Sequence, residues 1–287
     1  MPSGTARTPH APLASRPVFR LGHQHLVPSL PNATAGLLLF LLALGACGGG
    51  SESDAGQSEA TTTTTTTTTA EATDDADGPT LPPGNTWIAQ ARRPRVFVYA
   101  EPDVETQPTE LLANPNENGA PLVFLVDGTD VSGEFVAVFL PVPPNGSTGW
   151  VRARDVSLVA NPYHIRVELT AHKLTVSNGS EVVLDTMVGV GTADAPTPGG
   201  VYYIKELLEP PDPNGVYGVY AYGLSGFTNN PDVAEQFGDG GVIGLHGTNQ
   251  PELLGQDVSH GCIRVANDVI TEMVSYLPLG TPVEIIP

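Results

Sequence analysis

Turn-forming residues recur so often after Thr86 that only short segments fit between them. Asn114-Pro115-Asn116, Asp127-Gly128, Pro143-Pro144-Asn145-Gly146, Asn178-Gly179, Pro196-Thr197-Pro198-Gly199-Gly200 and Gly280-Thr281-Pro282 each punctuate the chain. Glycine allows positive φ and proline removes a ladder donor, so both interrupt regular elements. With 32 Gly and 28 Pro in 287 residues, a mainly β architecture with few, short helices is expected.

The apolar residues between the turns fit this. Val96 and Val98, Leu122 and Phe124, Val136, Val138 and Leu140, then Trp150 and Val151 mark short strands. They predict a small β-barrel over residues 86–160. Asn161-Pro162 marks a boundary. Beyond it Tyr163 to Leu169 alternates strictly, and Asn178-Gly179 lies between Leu174-Thr175-Val176 and Val182-Val183-Leu184, a hairpin signal. Val201 to Ile204, Val242 to Leu245 and Val283 to Ile286 are further strands of a second domain over 161–287. Two helices are expected there. One runs near Pro231 to Phe237 with Asn230 as cap. The other is capped by Asn267 and buries Val269, Ile270, Met273, Val274 and Leu277. Residues 206–241, rich in Pro, Gly and Tyr, read as a lid or binding loop.

The N-terminal third carries addressing rather than a core. Arg16 and Arg20 precede the apolar run Gly36 to Leu44, which is too short for a confident membrane span, and Gly45-Ala46-Cys47 follows. Residues 1–46 therefore read as a secretory signal. Residues 47–85 hold nine consecutive threonines and seven acids without Lys or Arg, the composition of a disordered tether. The formal net charge is −19, and all 31 acidic residues but only nine of the 12 basic ones lie from Cys47 onward. So acidic a chain is a poor electrostatic partner for nucleic acid.

The chemistry is concentrated between His246 and Arg264, which includes one of only two cysteines. Cys47 lies on the tether and is a poor disulfide partner, so Cys262 is expected as a thiol. A thiol reacts as thiolate, and an adjacent imidazole can take its proton. Two imidazoles are candidates: His260, two residues away, and His246, at the end of a neighbouring strand. Gly261 permits a tight turn that aims the N–H groups of residues 260–262 at one point, an oxyanion hole. Ser259 is placed to fix that turn by a local hydrogen bond. The Gly247 carbonyl is placed to accept from an imidazole and set its tautomer.

The pattern His246-Gly247-Thr248-Asn249, eleven intervening residues after Gly247, then Ser259-His260-Gly261-Cys262-Ile263-Arg264 resembles the signature of bacterial L,D-transpeptidases with a YkuD-type catalytic domain. The resemblance covers about Tyr163 to Pro287. It implies a β-sandwich, Cys262 as nucleophile, His246 as base oriented by Gly247, and an oxyanion hole at His260, Gly261 and Cys262. Arg264 would hold a substrate carboxylate, with Ser259, Tyr220 and Ser225 as further substrate contacts. The implied substrate is the peptidoglycan tetrapeptide stem, cross-linked 3→3 without metal or organic cofactor. Alternatives are a thiol carboxypeptidase or amidase on wall peptides, and a non-catalytic wall-binding lipoprotein. Pro143 to Val151 resembles the closing hairpin of a bacterial SH3-like domain. Leu44-Gly45-Ala46-Cys47 resembles a lipobox, implying that Cys47 is lipidated and anchors the chain to the membrane at the cell envelope; a monomer is expected.

Overall fold

The computed structural model describes residues 81–287, apart from Asp130, Gly238 and Asp239, together with a two-residue strand, β1 (Phe19–Arg20). Cys47 and nearly all of the leader and tether expected before Thr86 lie outside these residues. The architecture is mainly β with few short helices, as the turn density predicts.

Residues 86–161 form two small antiparallel sheets. One is ordered β5-β2-β8, from β2 (Thr86–Ala91), β5 (Val123–Leu125) and β8 (Val156–Asn161). The other is ordered β4-β3-β7-β6, from β3 (Arg95–Tyr99), β4 (Glu110–Ala113), β6 (Phe135–Phe139) and β7 (Thr148–Arg152). The alternating residues Val96 and Val98, Val136 and Val138, and Val151 meet Trp87 and Phe124 in one core. Each such side chain stabilises the fold by roughly 1.5–3 kcal/mol on burial. The apolar pattern did not reveal β2, β4 or β8.

The C-terminal part is built on one curled sheet ordered β11-β10-β9-β18-β13-β14-β15-β17. Its members are β9 (Tyr163–Glu168), β10 (Lys173–Asn178), β11 (Glu181–Met187), β13 (Gly200–Glu209), β14 (Ala221–Phe227), β15 (Val242–His246), β17 (Ile263–Arg264) and β18 (Pro282–Ile286). β1 pairs in parallel with the end of β13. The ten-residue β13 joins the two halves: Gly200 to Tyr203 pair with β18, and Ile204 to Leu208 pair with β14 across a register shift. Two short strands, β12 (Val190–Gly191) and β16 (Asp257–Ser259), pair in parallel beside it. Alternation in β9 sends Ile165 and Val167 into a core with Ile204, Leu224, Ile243, Leu245 and Ile263.

Helix α1 (Pro231–Phe237) begins where the proline predicts, and Asn230 Oδ1 accepts the Asp232 and Val233 N–H groups at 2.9 and 3.3 Å. Helix α2 (Asn267–Tyr276) corrects one expectation. Asn267 is its first residue, Ala266 holds the cap position, and no side chain caps it. The apolar face is as expected, with Ile270, Met273 and Leu277 buried on the sheet.

The two small sheets pack directly on the curled one. Ile88, Val123 and Leu125 enclose the buried Tyr203. Asn145 pairs with the Phe227 backbone through both amide atoms, at 2.8 Å each. Asn116 and Asn118 donate to the buried Glu206 carboxylate at 3.0 and 2.9 Å. The turn residues of one part are therefore structural ligands for the other.

Candidate active site

Strand β15 brings His246 and Cys262 together. It runs parallel to β17, with Leu245 opposite Ile263 and His246 opposite Arg264. Cys262 thus falls beside Gly244, whose N–H points at its Sγ, 3.4 Å away. A Cβ on Gly244 would stand 3.8 Å from both the Cys262 Sγ and the His246 Cδ2. The sulfur and the Nε2 side of the imidazole therefore face the same small space, which glycine leaves open. Cys262 is a half-buried thiol.

His246 is 3% exposed, and its Nδ1 lies 2.6 Å from the Gly247 carbonyl oxygen. A carbonyl only accepts, so Nδ1 carries the proton and Nε2 the lone pair. Burial pushes the His246 pKa down to about 4, and the nearby Arg264 charge acts in the same direction. The Gly247 hydrogen bond opposes them but does not prevail. The ring is thus a neutral imidazole at ordinary pH, able to take a proton through Nε2. His260 is exposed. Of the two histidines left open by spacing, His246 is the one that is buried, oriented and beside the thiol.

The loop between β16 and β17 is set by Ser259. Its hydroxyl donates to the Cys262 carbonyl at 2.6 Å and accepts the Gly261 N–H at 3.1 Å. The Ser259 carbonyl in turn accepts the Thr192 N–H at 3.0 Å. Gly261 has φ +118, a conformation that side chains strongly disfavour. The Gly261 N–H is committed to Ser259, so this residue shapes the turn. Arg264 is held by paired backbone hydrogen bonds with Gly189 at 2.8 and 2.9 Å. Its Nε is buried without a hydrogen-bond partner.

The other expected contacts are placed differently. Ser225 is buried, and its hydroxyl accepts the Tyr203 N–H at 3.1 Å, within the sheet. Tyr220 meets the site through its backbone, its carbonyl accepting the Gly247 N–H at 3.1 Å. Tyr217, three residues earlier in the same loop, stacks edge-on against His246. Residues 206–241, read from the sequence as a lid or binding loop, instead hold much regular structure: they include the end of β13 and all of β14 and α1. Tyr217 lies in the connection from β13 to β14, with no sequence signal to single it out. His164 is half-buried and burial lowers its pKa, whereas His172 Nε2 meets Asp257 Oδ1 at 2.8 Å. Among the described residues, no group of three His, Cys, Asp or Glu side chains gathers as a metal site.

Residues 162–285 match the family model of the YkuD L,D-transpeptidase catalytic domain. YkuD of Bacillus subtilis, named as a candidate L,D-transpeptidase, is 36% identical over 124 residues, which are 43% of this chain and 66% of that protein. YqjB of the same organism, named likewise, is 31% identical over 153 residues, 51% of this chain and 81% of its own. A solved structure of Bd1075 from Bdellovibrio bacteriovorus aligns over 44% of this chain and 48% of that one, at 30% identity and TM-score 0.33. The chain therefore spans just under two thirds of YkuD and about half of Bd1075. The match to YqjB over most of its length, with the matched domain enclosing both Cys262 and His246, places this chain in the L,D-transpeptidase family.

Proposed function

We propose that the chain is a peptidoglycan L,D-transpeptidase working through a Cys262 thioester. The observation that carries this reading is the arrangement of His246: Nδ1 fixed by Gly247, Nε2 facing the space shared with the Cys262 Sγ. In the first half-reaction Nε2 takes the thiol proton as sulfur attacks the carbonyl of the third stem residue. The oxyanion is held by the loop N–H groups at His260 and Cys262, with Gly261 keeping them aligned. The C–N bond breaks, D-alanine leaves with the proton from His246, and the thioester remains. In the second half an amine from a neighbouring stem attacks, His246 takes its proton, and the thiol is restored with a 3→3 cross-link. Arg264, with its Nε unpaired in the protein, is the candidate anchor for a substrate carboxylate.

The remaining architecture follows the same reading. A signal over 1–46, lipid on Cys47 and a tether over 47–85 would place an SH3-like barrel (86–160) and the catalytic domain (161–287) at the wall side of the membrane, as a monomer. Among the described residues no helix is long and apolar enough to cross a membrane.

Purified protein incubated with tetrapeptide stems tests the activity. Released D-alanine with dimer or D-amino-acid exchange is expected. Tripeptide alone would make water the acceptor and overturn the transferase reading. Carbapenem treatment followed by mass mapping is expected to give one adduct, on Cys262, and none in Cys262→Ala.

A further inference from the structure

Asn267 opens α2 five residues after Cys262, yet its side chain turns away from helix capping. Its Oδ1 accepts the Thr248 N–H at 3.1 Å. A Cβ on either Gly218 or Gly247 would run into that same oxygen, and the two glycines lie against one another. Three segments therefore converge on one carboxamide: the β13–β14 connection at Gly218, the end of β15 at Gly247, and the start of α2.

The consequence lies in the Gly247–Thr248 peptide. A peptide unit is planar, with C=O and N–H pointing oppositely. Pinning the Thr248 N–H therefore fixes the direction of the Gly247 C=O. That carbonyl accepts the His246 Nδ1–H, with 2.6 Å between nitrogen and oxygen. The Gly247 N–H, donated to the Tyr220 carbonyl at 3.1 Å, anchors the other side of the residue to the β13–β14 connection. Gly218 also neighbours Tyr217, whose ring stands against His246.

We propose that Asn267 is a positioning residue: by fixing the Gly247–Thr248 peptide and seating Gly218, it sets both the tautomer of His246 and the place of Tyr217 against it. This rests on reading Cys262 and His246 as a working pair. A carboxamide suits the task because it is neutral. It accepts the N–H without placing a full charge beside an imidazole that must gain and lose a proton.

The test is the pH profile of Cys262 acylation by a carbapenem in the full chain, where His246 acts as base, with thermal unfolding measured alongside. Asn267→Ala is expected to lower the acylation rate at pH 7 by about tenfold and move the profile towards that of an ordinary thiol, near 8.5. Asn267→Asp, which keeps an oxygen at the Thr248 N–H, is expected to regain most of the rate. Val274→Ala, on the same helix, is expected to lower the unfolding temperature without moving the profile. A wild-type profile in Asn267→Ala, or equal profile shifts in Asn267→Ala and Val274→Ala, overturns the proposal. If Asn267→Ala does not fold, Gly218→Ala carries the test, because it presses on the same oxygen from the β13–β14 connection; an unchanged profile there overturns the proposal too. An ordinary-thiol profile in the wild type overturns the pairing of Cys262 with His246, and the role of Asn267 with it.

Discussion

The Tyr217 ring stands edge-on to the His246 imidazole, with 4.9 Å between centroids and 65° between planes. Burial is the largest cause of the low His246 pKa, and Tyr217 supplies part of that cover. Tyr217→Ala admits water to the ring and should raise the imidazole pKa towards its ordinary value. The acid limb of the carbapenem acylation profile is expected to move up by about one pH unit. Stopped-flow acylation of both proteins across pH 4–8 checks this.

In the wild type, His246 becomes protonated only as pH falls through about 4. Cys262 acylation should therefore persist at pH 5 and fail near 4. Stability has its own sign. The folded pKa lies below the unfolded one, so between 6.5 and about 4 the unfolded chain binds a proton that the folded chain refuses. Stability is complete above 6.5 and is lost progressively as pH falls, by about 3 kcal/mol from this group at pH 4. His246→Gln should flatten that part of a urea-unfolding series across pH.

Ser259→Ala removes the acceptor of the Gly261 N–H and the donor to the Cys262 carbonyl together. A loss of about 1–3 kcal/mol in unfolding free energy is expected, because both partners are largely enclosed. Ser259→Thr keeps the hydroxyl and should retain most of the stability. Gly261→Ala should cost about 1–2 kcal/mol through its positive φ and slow acylation more than it destabilises the fold. Chemical denaturation and single-turnover acylation separate the two effects.

The Glu206 carboxylate, 2% exposed, receives two amide donors from the loop after β4. Lys205 approaches its other oxygen only to 3.5 Å. Replacing Asn116 and Asn118 by Ala leaves the charge buried with one weak partner. A loss of about 3 kcal/mol is expected, with Cys262 alkylation unchanged in the folded fraction. Adding Glu206→Leu to the double variant should recover part of it. Thermal unfolding of the three proteins decides.

Much of the fold was legible because its signals are local. The Asn178-Gly179 hairpin, the Asn230-Pro231 helix start and the strand that delivers His246 each depend on a few adjacent residues with a defined conformational preference. The turn residues Asn116 and Asn145 were legible only as turns. That their side chains serve Glu206 and Phe227, 90 and 82 residues away, has no local signature. The same holds for Asn267. A residue that caps helices well was read as a cap, but a partner at Thr248 took its side chain, and the helix begins without one.

The sequence by itself determined the mainly β architecture, the candidate stretch from His246 to Arg264, and the need for Gly261 in its turn, because these follow from turn chemistry and residue type at fixed spacing. Only the tertiary structure distinguishes the surroundings of His246 from those of His260. Burial and a hydrogen bond to Gly247 orient one, and exposure leaves the other in solvent. It also decided that Tyr217 stands against the imidazole and that Asn267 joins the β13–β14 connection, strand and helix, since solvent exclusion and close backbone approach arise from segments that are distant in sequence.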